Sequence, residues 1–213
     1  MVTDIDELKL HVTTLLKDDH GGRCIDISTA SIRTLIKMLE ARDPYTNGHQ
    51  YNVARIGQLI VNEMNLDAEL GSRVFICSLL HDIGKIGLPH EILSKPTRLT
   101  APEYQLIQQH AELGKELLSD LATVFPYLGP IVSQHHERID GSGYPAMLKG
   151  DEILLEARII GVADVIEAMT SHRPYRPALG IEKAIDEIRS GAGKIYDEAV
   201  SKAAISLYNS KKL

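Results

Sequence analysis

The chain of 213 residues has no tryptophan, two phenylalanines and two cysteines. With aromatics at only 5% of residues, the core has to be built from Leu, Ile, Val and Ala. Cys24 and Cys77 are too few for a disulfide scaffold and show no metal-type pairing, so a reducing, cytoplasmic setting is expected. Nowhere do about 18 apolar residues run unbroken, so no membrane span is expected. The start, Met1-Val2-Thr3-Asp4-Ile5-Asp6-Glu7, lacks the apolar stretch of a signal peptide. Positive charge is scarce too: 23 Lys and Arg stand against 29 Asp and Glu, a net charge of −6. A grip on DNA or RNA duplexes, or on an anionic membrane, by bulk charge is therefore not expected. Any anionic ligand needs a local cluster of positive charge, from side chains or from metal.

What is present reads as helix almost throughout. Leu8, Val12, Leu15 and Leu16 keep helical spacing, and Asp18-Asp19-His20-Gly21-Gly22 then breaks the chain. This break divides a short N-terminal segment, 1–25, from a main domain, 26–213. Further helices are expected at 29–41, from Thr46-Asn47 to Asn65, from Gly71 or Ser72 to Asp82, and from Thr100 onward. Others follow at about 127–138, 153–170, 181–190 and 197–209. No stretch alternates long enough to compete as a strand, so the expected fold is all-α. Ile32, Leu35, Ile36 and Leu39 form a stripe that serves either core packing or a homodimer interface.

Several polar residues fall on faces that should be apolar. His49 precedes Val53 and Ile56 by four and seven residues, and His110 follows Ile107 by three. Asp164 lies within Ile159-Ile160-Gly161-Val162-Ala163, and His135, with His136 beside it, follows Ile131 and Val132 at helical spacing. His81-Asp82 ends the run Val74-Phe75-Ile76-Cys77-Ser78-Leu79-Leu80. Any one of these alone reads more simply as a hydrogen-bonded core histidine or a capping aspartate. Together they are costly, because an uncompensated buried carboxylate costs several kcal/mol and imidazoles need partners as well. A shared metal centre satisfies them all, and seven ligands exceed the four of a tetrahedral ion. Two ions sharing one carboxylate is the economical solution.

These residues resemble a known family. His81-Asp82-Ile83-Gly84-Lys85 is similar to the HD metal-phosphohydrolase motif, and His135-His136-Glu137 with Gly143-Tyr144-Pro145 is similar to the HHE and GYP elements of the HD-GYP subfamily. Ala41 to His49, Lys95-Pro96 with Leu99-Thr100, and Val162 to Arg176 extend the likeness in family order. The resemblance implies an all-α HD domain acting as a bacterial cyclic di-GMP phosphodiesterase. Carried over by position, His49, His81, Asp82 and Asp164 hold one divalent ion and His110, His135 and His136 the other, with Asp82 bridging. The ions implied are iron, alternatively manganese. Tyr45 stands where some relatives place a third-ion glutamate, which argues for two ions.

Lys85, a turn past the HD pair, is placed to neutralise charge on the phosphoryl or leaving oxygen, and the resemblance assigns Arg173 and Arg176 to gripping phosphate and guanine. Gly143 and Tyr144 are expected in a loop close to substrate, and Glu167, one turn after Asp164, is read as supporting the site or facing substrate. Asn52 replaces a usual Arg, and His172 a common acid. His11, His20 and His90 are expected on the surface, and Cys77 in the core. His136-Glu137-Arg138-Ile139-Asp140 is a near miss to a zinc-peptidase pattern, but its fifth residue is Asp and a glycine-rich turn follows at once. Two other readings stay open: a catalytically weak cyclic-dinucleotide-binding module, and a hydrolase of another cyclic dinucleotide such as cyclic GMP-AMP. An upstream regulatory protein is a further possible partner.

Overall fold

A computed structural model describes residues 5–16, 22–42, 48–172 and 177–213. Among them the fold is all-α, as the periodicity predicts. Helix α1 (Ile5–Leu16) buries Leu8 and Val12 completely, and α2 (Gly22–Arg42) buries Ile32, Ile36 and Leu39 at successive helical turns. An ion pair of 2.6 Å joins Lys9 of α1 to Asp26 of α2. Helix α2 runs without interruption across residues 25 and 26, and its apolar stripe enters the same core as the rest of the chain. That stripe is filled by the chain's own packing.

Helix α3 (His49–Glu63) follows Gly48, whose φ of 80° suits a residue without Cβ. The following helix, α4 (Ala68–Leu80), begins earlier than the sequence reading placed it. The reason is the Asp67 carboxylate, which accepts the Leu70 N–H at 2.8 Å and caps a helix that starts at Ala68, four residues before Ser72. A 3-10 turn, Ile83–Gly87, carries the chain past the end of α4 to the short helix α5 (His90–Leu93). Thr100 and Glu103 form a capping box that starts α6 (Ala101–Gln108), with Pro102 in the first turn.

Then come α7 (His110–Leu117), α8 (Leu128–Gln134), α9 (Leu155–Thr170), α10 (Ile181–Gly191) and α11 (Glu198–Asn209), the last capped by Asp197. Helix α8 is shorter than expected and stops before the His135-His136 pair. Helix α3 packs on α4 and α9, while α7 lies between the 3-10 turn and α8. The ends of α4 and α8, the start of α7 and the inner faces of α3 and α9 therefore meet.

Gly84 fixes one of these contacts. A Cβ placed there would lie 2.0 Å from the His110 carbonyl oxygen and 2.6 Å from the Gly114 nitrogen, both backbone atoms that cannot swing aside. Gly84→Ala is expected to destabilise the fold by about 1–3 kcal/mol, measured by urea titration, because the α7 contact has to open.

His11 departs from its expected surface position. It is half-buried against α4, stacked on Phe75 with ring centroids 4.1 Å apart, and its Nδ1–H donates to Ser72 Oγ at 3.0 Å. Burial lowers its pKa from 6.5 to about 4. The unfolded chain thus takes up the proton first, and the stability His11 contributes is full above pH 6.5 and lost as pH falls toward 4. His11→Leu is expected to flatten the stability profile across that window, read from denaturant midpoints at each pH.

Candidate metal centre

Three of the histidines are oriented by the backbone just before them. The Nδ1–H groups of His81, His110 and His135 each donate at 2.6 Å to a carbonyl three residues earlier: Ser78, Ile107 and Val132 respectively. These carbonyls lie at helix ends, where they have lost their helical partners. With the proton held on Nδ1, each Nε2 presents a lone pair inward. His81 Nε2 is buried without a hydrogen-bond partner. The Nε2 atoms of His110 and His135 stand 3.3 Å apart, and neither has a proton to share. Two lone pairs facing each other in a buried site repel unless an electron-pair acceptor lies close to both. This donor chemistry fits a metal ion.

The carboxylates complete the arrangement. Asp82 is buried, with Oδ2 at 3.6 Å from His49 Nε2 and 3.4 Å from His81 Nε2, and Oδ1 at 3.4 Å from His110 Nε2. Its two oxygens thus face two different sets of imidazoles. Asp164, on α9, brings Oδ1 to 3.4 Å from His49 Nε2 and 3.9 Å from His81 Nε2. The side chains gather into two candidate metal-binding groups, Asp82 with His110, His135 and His136, and His49 with His81 and Asp164; within each group the ligand atoms lie within 4.8 Å of one another. The geometry thus places all seven sequence-derived candidates together, with Asp82 between the groups.

The electrostatics show how much positive charge this place demands. Burial alone would pull the His49 pKa down, but hydrogen bonds to Asp82 and Glu167 and the charge of Asp164 outweigh it and raise it to about 9. Burial pushes the Asp82 carboxyl up, yet Lys85, His81 and His49 hold it well below the usual range. Asp164 is likewise lowered, against its burial, by His49 and His81. Burial and neighbouring imidazoles depress His135 and His136, and burial outweighs the pull of Asp82 to depress His110, so all three favour the neutral form that donates a lone pair to metal.

The surrounding residues hold these groups in place. Glu167 is buried and accepts from His49 Nδ1, from Ser171 Oγ at 2.7 Å and from Asn52 Nδ2 at 3.4 Å. Asn52, which replaces a usual Arg, thus keeps a polar contact with this carboxylate. Lys85 sits in the 3-10 turn, its Nζ 2.6 Å from Asp82 Oδ2. The Tyr144 ring lies tilted on His136, with centroids 4.7 Å apart. A Cβ on Gly143 would meet the Arg138 nitrogen and Glu137 Cα, each at 2.4 Å, so the loop needs glycine to pass close to the backbone at residues 136–138. Arg173, Arg176 and Tyr45 lie outside the described residues. Cys77 is buried, which pushes its thiol pKa well up, so it is an unreactive core residue.

Sequence reasoning gave Glu137 no role. The structure buries it and uses both of its oxygens: Oε1 accepts from the Ala146 N–H at 2.7 Å and Oε2 from the Leu148 N–H at 3.0 Å. It ties the loop carrying Tyr144 to the histidine pair. Its place beside His135-His136 was the one available signal, and its partners nine and eleven residues on were invisible to local patterning.

Glu167→Ala is expected to lower metal affinity about 10–100-fold, measured by competition with a chelator, because His49 loses the carboxylate that fixes its tautomer and ring orientation.

An HD domain family model matches residues 33–200. A cyclic di-GMP phosphodiesterase of Thermotoga maritima is 40% identical over 175 residues, covering 81% of this chain and 48% of the relative. A 3'3'-cGAMP-specific phosphodiesterase of Vibrio cholerae is 41% identical over 152 residues, covering 70% of this chain and 32% of the relative. The chain thus spans about half or less of the length of these relatives. The crystal structure of a cyclic GMP-AMP specific phosphodiesterase from Vibrio cholerae superposes with a TM-score of 0.55 at 30% identity, over 90% of this chain and 42% of that one. The chain belongs to the HD domain family, as an HD-type metal-phosphohydrolase domain related to the HD-GYP phosphodiesterases.

Proposed function

We propose that this domain hydrolyses cyclic di-GMP to linear pGpG, with or without a second step to GMP, using two divalent ions in the candidate centre. The observation that carries the reading is Asp82, whose Oδ2 faces His81 and whose Oδ1 faces His110, two imidazoles whose Nδ1–H groups are each committed to a backbone carbonyl. In this reading His49, His81 and Asp164 hold one ion and His110, His135 and His136 the other, with Asp82 shared. Imidazole and carboxylate donors without thiolate suit iron, with manganese as the alternative. When bound, such ions act as Lewis acids and bring a water's pKa toward neutrality.

The chain's own residues do the rest. Two divalent cations outweigh the two aspartates, so the centre attracts a phosphodiester anion within a protein of net charge −6. Lys85, 15% exposed beside Asp82, supplies positive charge near the leaving oxygen. Glu167 keeps His49 aimed inward, and Glu137 keeps Tyr144 against His136. Arg173 and Arg176 supply the phosphate and guanine contacts that planar guanidinium groups suit. A homodimer or an upstream regulatory protein would provide the input.

A second reading, 3'3'-cyclic GMP-AMP as substrate, is favoured by the Vibrio cholerae relative that matches as closely in identity. The silent binding-module reading is disfavoured by the intact ligand set. Chromatography of products from cyclic di-GMP and from 3'3'-cyclic GMP-AMP tests the assignment on anaerobically purified, metal-loaded protein. The expected result is pGpG from cyclic di-GMP, with turnover lost at least about 1,000-fold in His81→Ala and Asp82→Ala while the helical circular dichroism spectrum is kept. Retained turnover in either variant would refute the site, and exclusive cleavage of cyclic GMP-AMP would move the assignment to the second reading.

A further inference from the structure

Tyr144 also lines a groove of about 570 Å³ that no histidine lines, within the roughly 300–1,000 Å³ range of small-molecule sites. Part of the lining is polar. Gln105 of α6, Gln109 at the junction of α6 and α7, and Glu112 and Glu116, one turn apart on α7, all line the groove. Apolar lining comes from Tyr144, Pro145 and Met147 of the loop that Glu137 fixes, and from Leu113. Met147 is 67% exposed, although it is a large apolar side chain.

The lining contains no lysine or arginine, and Glu112 and Glu116 contribute negative charge. The lining thus offers a phosphate no cationic side chain, and the groove suits an uncharged ring with hydrogen-bonding edges. A purine matches both kinds of lining, its faces on the Tyr144 ring and the Met147 thioether and its edge toward α7. The polar lining also discriminates between purines. A carboxylate only accepts hydrogen bonds, whereas a carboxamide both donates and accepts. Guanine offers adjacent ring N–H and amino donors to a carboxylate and an O6 acceptor to an amide N–H. Adenine has no such pair of adjacent donors.

We propose that this groove is a guanine subsite, in which Glu112 accepts from the base's N–H and amino groups and Gln109 donates to O6. The inference rests on the cyclic-dinucleotide reading: with the scissile phosphate at the candidate metal centre, one base of the substrate lies across Tyr144. Lys115 Nζ donates to Glu112 Oε1 at 3.0 Å, and a carboxylate can accept further hydrogen bonds beside it.

Calorimetric titration of GMP and AMP into the metal-loaded protein tests this directly, alongside KM for cyclic di-GMP. Wild type is expected to bind GMP more tightly than AMP. Glu112→Gln should weaken GMP about tenfold, leave AMP within about twofold, and raise KM for cyclic di-GMP in parallel. Gln109→Leu should weaken GMP by a smaller factor. Both positions are exposed, Glu112 on α7 and Gln109 at its start, and circular dichroism verifies the fold. Equal GMP affinity in wild type and both variants would overturn the subsite while leaving the hydrolysis reading intact. Absence of any cyclic-dinucleotide cleavage by wild type would refute the hydrolysis reading, and the GMP titrations would still decide the subsite.

Discussion

Three imidazoles whose protons are committed to backbone carbonyls leave their lone pairs pointing into one buried volume, and the rest of the architecture depends on that constraint. Neutral lone pairs at this separation do not stabilise one another, and Asp82, Asp164 and Glu167 add negative charge without adding a donor. Hydrogen bonds within the protein cannot balance such a set, because too few protons are available. The rise in the His49 pKa to about 9 is the protein's partial answer, with one imidazole acting as a cation among three carboxylates. Lys85, bonded to Asp82, is the other. Divalent cations balance the set far better, since they accept lone pairs and carry charge at the same points.

Such a site costs folding free energy unless the scaffold around it is well packed, and the helices provide this. Aliphatic residues of α3, α4, α8 and α9 are fully buried around the polar cluster: Val53, Leu79, Ile131 and Ile160 have no exposed surface. Glycine sets the closest approaches. Gly84 lets α7 carry His110 up to the 3-10 turn, and Gly143 lets the Tyr144 loop fold back onto the histidine pair. Precision comes from residues that do not themselves face the centre, Glu167 for His49 and Glu137 for the loop. These pairings span 118 residues for the first and nine and eleven for the second.

Much of this was legible in the sequence, for a physical reason. A histidine or aspartate on an apolar helical face violates patterning, and seven such violations pointed to one place. Element types follow from periodicity as well. Helix ends were less legible: Asp67 caps α4 through a single side-chain bond, and α8 stops at Gln134, where the Val132 carbonyl accepts the His135 Nδ1–H. His11 was misplaced because its environment comes from α4, 61 residues away at Ser72. The work of Glu137 was hidden for a similar reason, since its partners are main-chain N–H groups of a loop that carries no hydrophobic pattern. Sequence shows which side chains are anomalous, whereas the groups that satisfy them become visible only in three dimensions.

Anomalous X-ray scattering from crystals grown with iron or manganese tests the central claim most directly. The account predicts two peaks, one among His49, His81 and Asp164, the other among His110, His135 and His136, with Asp82 between them. A map with no peak in either group, or with a single peak far from Asp82, would contradict it.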